Sequence, residues 1–201
     1  MRTLCILLCF GAALLVSGGA ALGAKAPEPV SSLPQWPDFS ARQMQSLQSL
    51  SDCEQNEAWC ATPEVKRWAG LIGNLREQGK LRQIITVNKW FNRLPYKYDE
   101  YAYDRLDYWA DTIELLQKRG DCEDFALSKY YTLRQLGFTP EQLQVTMVYD
   151  RENFTNHAVL MVYIDGTRYM MDINSDATEP SALGKRYKPL YSFNEQTAWY
   201  Y

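Results

Sequence analysis

Asp165-Gly166 lies between two strand-like runs, His157–Tyr163 and Thr167–Asn174. An Asp-Gly pair in that setting is a two-residue hairpin turn, because both residues tolerate positive φ. The turn fixes the register. If Ile164 pairs with Thr167, then His157 opposes Asn174 and Val159 opposes Asp172. Side chains alternate between faces, so His157, Val159, Asp172 and Asn174 share one face of the sheet. Asp172 is then the diagonal neighbour of His157, with Cα atoms roughly 7 Å apart. His157 is the only histidine in the chain. A carboxylate at that distance can accept its ring N–H, set the tautomer and stabilise the imidazolium. Asp172 sits in the otherwise apolar Tyr169-Met170-Met171-Asp172-Ile173, where a charge requires a partner.

Gly120-Asp121-Cys122-Glu123-Asp124 reads as the opening of a helix from Cys122 to Leu136. Phe125, Ala126, Tyr130, Leu133 and Leu136 form its apolar stripe, and Gly137 ends it. Asp121 is a natural N-cap, with Asp124 in the capping-box position. A thiol at a helix start has its thiolate favoured by the dipole and the free N–H groups. Cys122, His157 and Asp172 therefore suggest nucleophile, general base and acid, and orienting group. Singly, each has an ordinary reading: an inert packed thiol, a structural histidine, an acid ending a strand. The combination in one chain argues for the chemical reading.

Upstream, the pattern is helical. Lys25 to Asp38 contains four prolines and reads as an extended lead-in. Ser40 can cap a helix with Met44, Leu47 and Leu50 on one face. Thr62-Pro63-Glu64 starts a second, carrying Val65, Trp68, Ala69, Ile72 and Leu75 and stopped by Gly79. A third fits Leu81 to Phe91, with Ile84, Ile85 and Trp90 apolar. Pro95 to Tyr108, rich in tyrosine and aspartate, reads as a long loop. Strands are expected at Leu143–Tyr149, His157–Tyr163 and Thr167–Asn174. Helices followed by an antiparallel sheet make an α+β layout.

The N-terminus has the form of a secretory signal. Met1-Arg2-Thr3 precedes an apolar run from Leu4 to Val16, and small residues follow to Ala24. The run is short for a membrane span. Neither Cys5 nor Cys9 has the small residues before it that a lipid anchor needs. The expected organisation is a signal peptide over 1–24, the lead-in over 25–38 and a single domain over 39–201. Removing 1–24 takes only Arg2 among the charges, leaving 177 residues of net charge −4. With no basic tail or cluster, a nucleic-acid partner is not expected. Three cysteines remain: Cys53, Cys60 and Cys122. In an exported chain Cys53 and Cys60 can pair, leaving Cys122 as the odd, reactive thiol. On one straight helix their Cα atoms would be about 10 Å apart, so a bridge requires a bend. Two small buried thiols are the alternative.

These motifs resemble the bacterial transglutaminase-like cysteine proteinases. The resemblance rests on Gly120-Asp121-Cys122-Glu123-Asp124-Phe125-Ala126, Lys129-Tyr130, Leu133-Arg134-Gln135-Leu136-Gly137, His157-Ala158-Val159-Leu160 and Met171-Asp172-Ile173-Asn174. An upstream Val87-Asn88-Lys89-Trp90-Phe91-Asn92 fits the family's helix ending in asparagine. The match spans about Ser51 to Tyr201. Pro95 to Lys118 is the weakly matched part, and Ile173-Asn174 departs from the family's usual Leu-Asp-Asn. The resemblance implies a transglutaminase-like, papain-like thiol-protease fold with Cys122, His157 and Asp172 as the triad. It implies a periplasmic protease that clips the N-terminal region of a large surface adhesin and disperses biofilm. An inner-membrane receptor for cyclic di-GMP would sequester it. It also implies calcium near the nucleophile, for which Asp121, Glu123 and Asp124 are the candidate ligands, with Asp107 or loop carbonyls completing the set. Three carboxylates in four residues suit calcium, and they equally suit an acidic first turn of a helix. An amide cross-linking transglutaminase and a non-catalytic binding module are the competing functions.

Overall fold

The computed structural model describes residues 25–178 and 183–201. The expected signal peptide lies outside these residues. The Asp165-Gly166 turn forms with φ of 48° and 76°. It joins β3 (Thr155–Ile164) to β4 (Thr167–Met171) in the expected register, from Ile164 opposite Thr167 to Leu160 opposite Met171. Among the described residues, six strands make one antiparallel sheet in the order β1-β6-β5-β2-β3-β4. The others are β1 (Glu28–Pro29), β2 (Leu143–Asp150), β5 (Tyr187–Phe193) and β6 (Thr197–Tyr200).

The helices precede the main sheet, as expected, with corrections. Helix α1 spans Trp36–Gln55 and starts at Trp36-Pro37, not at Ser40. Ser40 donates to the Pro37 carbonyl instead of capping. Its buried face is Trp36, Phe39, Gln43, Ser46, Leu50 and Cys53, and Met44 is exposed. Polar Gln43 and Ser46 face inward because they meet polar partners. Gln43 Oε1 accepts from the Thr112 N–H at 2.9 Å, and Ser46 Oγ donates to Asp111 at 2.6 Å. The lead-in is likewise not wholly extended: Glu28–Pro29 pairs with β6 and Val30–Ser32 is a 3-10 turn.

Helix α2 (Pro63–Leu75) starts as read: Thr62 Oγ1 accepts from the Val65 N–H and Pro63 occupies the first turn. It ends at Leu75, and Gly79 opens α3 (Lys80–Asn92) rather than stopping α2. Between α1 and α2 the chain bends at Asn56, whose side chain accepts from the Ala58 N–H. The bend brings the Cα atoms of Cys53 and Cys60 to 4.2 Å, and a disulfide joins them. Cys122 is the free cysteine among the described residues.

The expected loop from Pro95 to Tyr108 contains one helical turn, α4 (Asp99–Ala102). Helix α5 (Thr112–Lys118) follows, with a capping box of Asp111 and Glu114. Helix α6 (Cys122–Gln135) is the centre of the molecule. It packs on β2 and β3 on one side and on α3 and α5 on the other. Cys122 through Leu133 are all buried, so α6 is a core helix rather than an amphipathic one. Gly137 ends it at φ 85°.

Candidate active site

Cys122 is the first residue of α6, reached through a tight approach. Arg119 holds φ at 75°, a left-handed value uncommon for a residue with a Cβ. The turn is fixed from outside: Tyr103 Oη donates to the Arg119 carbonyl at 2.7 Å, and the Lys97 N–H donates to that of Gly120 at 2.9 Å. Gly120 must lack a side chain, since a Cβ there would collide with the Asp124 carboxylate and sit 2.8 Å from its Cγ. Asp124 reaches back across this gap. Its Oδ2 accepts from the Asp121 N–H at 3.1 Å and its Oδ1 from the Ala110 N–H at 2.7 Å. One fully buried carboxylate thus ties the helix start at Cys122 to the segment before α5.

The Cys122 thiol is buried and lies 3.1 Å from Glu123 Oε2. Burial pushes its pKa up, and the negative charges of Glu123 and Asp121 push the same way. The Ala158 backbone N–H opposes them. That contact sets the sulfur beside β3, at the residue after His157. Cys122 and His157 line one cleft of about 410 Å³, with Tyr96, Tyr98, Met147 and Tyr191 among its walls. A second recess of about 680 Å³ shares Tyr96, Tyr98 and His157 with it.

His157 and Asp172 are both buried, and His157 Nε2 lies 2.8 Å from Asp172 Oδ1. With Nε2 bound to the acid, Nδ1 is the ring nitrogen left to accept a proton. Asp172 is heavily supported. Its Oδ1 also accepts from the Asn174 N–H at 2.9 Å, and its Oδ2 accepts from Tyr187 Oη at 2.6 Å. Burial raises the Asp172 pKa, but these donors, led by the hydrogen bond and charge of His157, hold it below the ordinary carboxylate value. The Asn174 bond closes a local turn. For that reason β4 stops at Met171, short of the expected Asn174, and Asp172 bridges Ser175 instead. Asp176 accepts from Asn92 Nδ2 at 3.1 Å.

The expected metal ligands gather, and the structure adds Asp99 to them. Ligand oxygens of Asp99, Asp121 and Asp124 lie within 4.8 Å of one another, as do those of Asp99, Asp107 and Glu123. Asp99 Oδ1 and Asp121 Oδ1 are buried with no hydrogen-bond donor among the described residues. Burial, then the charges of Glu123 and Asp107, push Asp99 up to about 6 against one opposing N–H from Tyr108. Burial and the Glu123 charge push Asp121 up as well. Unpartnered buried oxygens in a carboxylate cluster fit a hard divalent cation of calcium's type. Sequence reasoning missed Asp99, which the aspartate-rich loop brings in from 22 residues upstream of Asp121.

A profile of the bacterial transglutaminase-like cysteine proteinase family matches residues 41–200. The chain belongs to that family. It is therefore a cysteine proteinase by descent, with an α+β transglutaminase-like fold. Three solved structures of LapG from Legionella pneumophila are similar to it. The calcium-bound form is 30% identical with a TM-score of 0.62, covering 68% of this chain and 77% of that one. Another is 28% identical with a TM-score of 0.65, covering 75% and 87%. An EGTA-treated form is also 28% identical at 0.65, covering 75% and 84%. No curated protein matches the chain.

Proposed function

We propose that this protein is a calcium-dependent periplasmic endopeptidase that cleaves the N-terminal region of a large surface adhesin. Cleavage would release the adhesin and disperse biofilm, under control of an inner-membrane cyclic di-GMP receptor that sequesters the protease. The observation that carries the catalytic part is the buried Asp172–His157 hydrogen bond beside a free Cys122 at a helix start. Adhesin, receptor and compartment rest on the family resemblance and on the signal-like residues 1–24.

The chemistry follows from these groups. His157 Nδ1 takes the Cys122 proton as Sγ attacks the scissile carbonyl carbon. Asp172 stabilises the imidazolium that forms. The tetrahedral intermediate collapses to a thioester as His157 returns the proton to the leaving amine. Water activated by His157 then hydrolyses the thioester. The raised pKa of the isolated thiol makes this transfer to His157 essential, because little thiolate would exist without a base. A cation held by Asp99, Asp107, Asp121, Glu123 and Asp124 would offset the negative charge around Cys122 and pin the loop before α6. Two calcium-related forms of LapG among the similar structures support that reading.

The test is cleavage of a purified adhesin N-terminal fragment, with product ends mapped by mass spectrometry, in the presence of a primary amine. New termini bearing water-derived carboxylates are expected. Products carrying the amine would indicate cross-linking transglutaminase chemistry instead, and no reaction with a thiol-directed probe would indicate a binding module.

A further inference from the structure

Lys129 is buried in α6, two helical turns beyond Cys122, at 1% exposure. Among the described residues its hydrogen-bond partner is a neutral group, Asn92 Oδ1, at 2.7 Å. Asn92 is the last residue of α3. Its Nδ2 faces three acceptors on the turn after β4: the carbonyl of Asp172 at 3.0 Å, the carbonyl of Ser175 at 3.1 Å, and Asp176 Oδ1 at 3.1 Å. A lysine amine donates to its partner, so it fixes the Asn92 oxygen toward itself. The amide nitrogen must then face the turn. Reversed, the amide would aim its oxygen at three other oxygens.

We propose that Lys129 is a positioning residue: through Asn92 it holds the turn that presents Asp172 to His157. The relay ties the helix carrying the nucleophile to the backbone of the orienting acid, so the two keep one spacing. A buried lysine that contacts no carboxylate among the described residues is costly for a core, where an apolar side chain of similar length would pack more cheaply. Burial pulls its pKa down to about 7, with Asp172 and Asp176 opposing. The inference rests on reading Cys122, His157 and Asp172 as the catalytic set, and its test does not require turnover.

The experiment compares Lys129→Met, Asn92→Asp and the double variant in nitrogen-15-labelled protein. Asn92→Asp keeps a partner for Lys129 but removes the donors to the turn. The first readout is the ring N–H signal of His157, unambiguous because the chain has one histidine. In the wild type it should be downfield and protected by Asp172. In each variant it should be lost to solvent exchange while the amide spectrum stays dispersed. The second readout is alkylation of Cys122 by iodoacetamide, which should slow by about tenfold in each single variant. The double variant should be no slower than the worse single. An unchanged ring signal in folded Lys129→Met, or additive losses, would overturn the proposal. If Lys129→Met does not fold, Asn92→Asp decides by the same readouts. A failed catalytic assignment would leave the ring signal still responding to Lys129, which separates the two failures.

Discussion

Tyr187 Oη donates to Asp172 Oδ2 at 2.6 Å, while His157 holds Oδ1 of the same carboxylate at 2.8 Å. The acid is thus gripped on both oxygens, by residues of the two strands that flank β2. Removing one grip tests how much the orientation of Asp172 depends on it. Tyr187→Phe leaves Oδ2 buried without a donor. We expect a loss of about 1.5–3 kcal/mol in stability, the range for hydrogen bonds to charged groups. The lost donor favoured the ionised acid, so the Asp172 pKa should rise and the acid limb of the rate profile should move to higher pH. Urea unfolding and a pH–rate series on an adhesin fragment measure both. Identical stability and an unmoved acid limb would show that Tyr187 is only a neighbour.

The calcium reading makes a prediction about a residue that no local motif marked. Asp99→Asn keeps the shape of the side chain and its bond from the Tyr108 N–H, but removes a charge from two carboxylate clusters. Calcium affinity should fall, measured by calorimetry, and a higher calcium concentration should be needed to restore cleavage after EGTA. Magnesium should restore it poorly, because its strict octahedral shell suits an irregular cage badly. Full cleavage in chelator, with no calorimetric binding, would return these carboxylates to a helix-start and loop-packing role.

The sequence marked the site better than its supports. The Asp165-Gly166 turn was enough to set the β3–β4 register, because a two-residue loop leaves no freedom. Cys122 was legible because a helix start has a strong local signature. The rest is non-local. Asp172 meets Tyr187 only because the chain turns after β4 toward β5, a strand separated from β4 by β3 and β2, and β5 itself escaped notice because Lys188, Pro189 and Ser192 break any alternation. Helix α5 carried a readable signal in Asp111-Thr112-Ile113-Glu114, a capping box before Leu115-Leu116, in residues between the expected loop and α6 that carry no expected element. The face of α1 was legible only in part: Leu50 is buried and Leu47 packs against the core, but Met44 is exposed, and the inward Gln43 and Ser46 are polar. Burial of polar groups is decided by partners, here Thr112 and Asp111, which the helix's own sequence does not contain.

Lys129 gives a stability signature with a definite sign. In the folded protein its proton is lost above about pH 7, while the unfolded chain keeps it to the ordinary value of 10.5. Between those values the unfolded state binds more protons, so this group makes stability rise with pH across that window. Lys129→Met removes the effect. The stability difference should therefore shift toward the wild type between pH 7 and 10, as read by urea unfolding of both proteins at each pH. Parallel pH profiles would mean that Lys129 titrates alike in the folded and unfolded states.

In the proposed function Cys122, served by a His157 that Asp172 holds in place, cuts peptide bonds. The most direct measurement is the cleavage rate of an adhesin N-terminal fragment by Cys122→Ala against the wild type, with native fold checked by circular dichroism. The variant should lose about a thousandfold or more of the rate, as removal of a triad member does, and keep the melting behaviour of the wild type. A folded Cys122→Ala protein that still cleaves at near wild-type rate would contradict it.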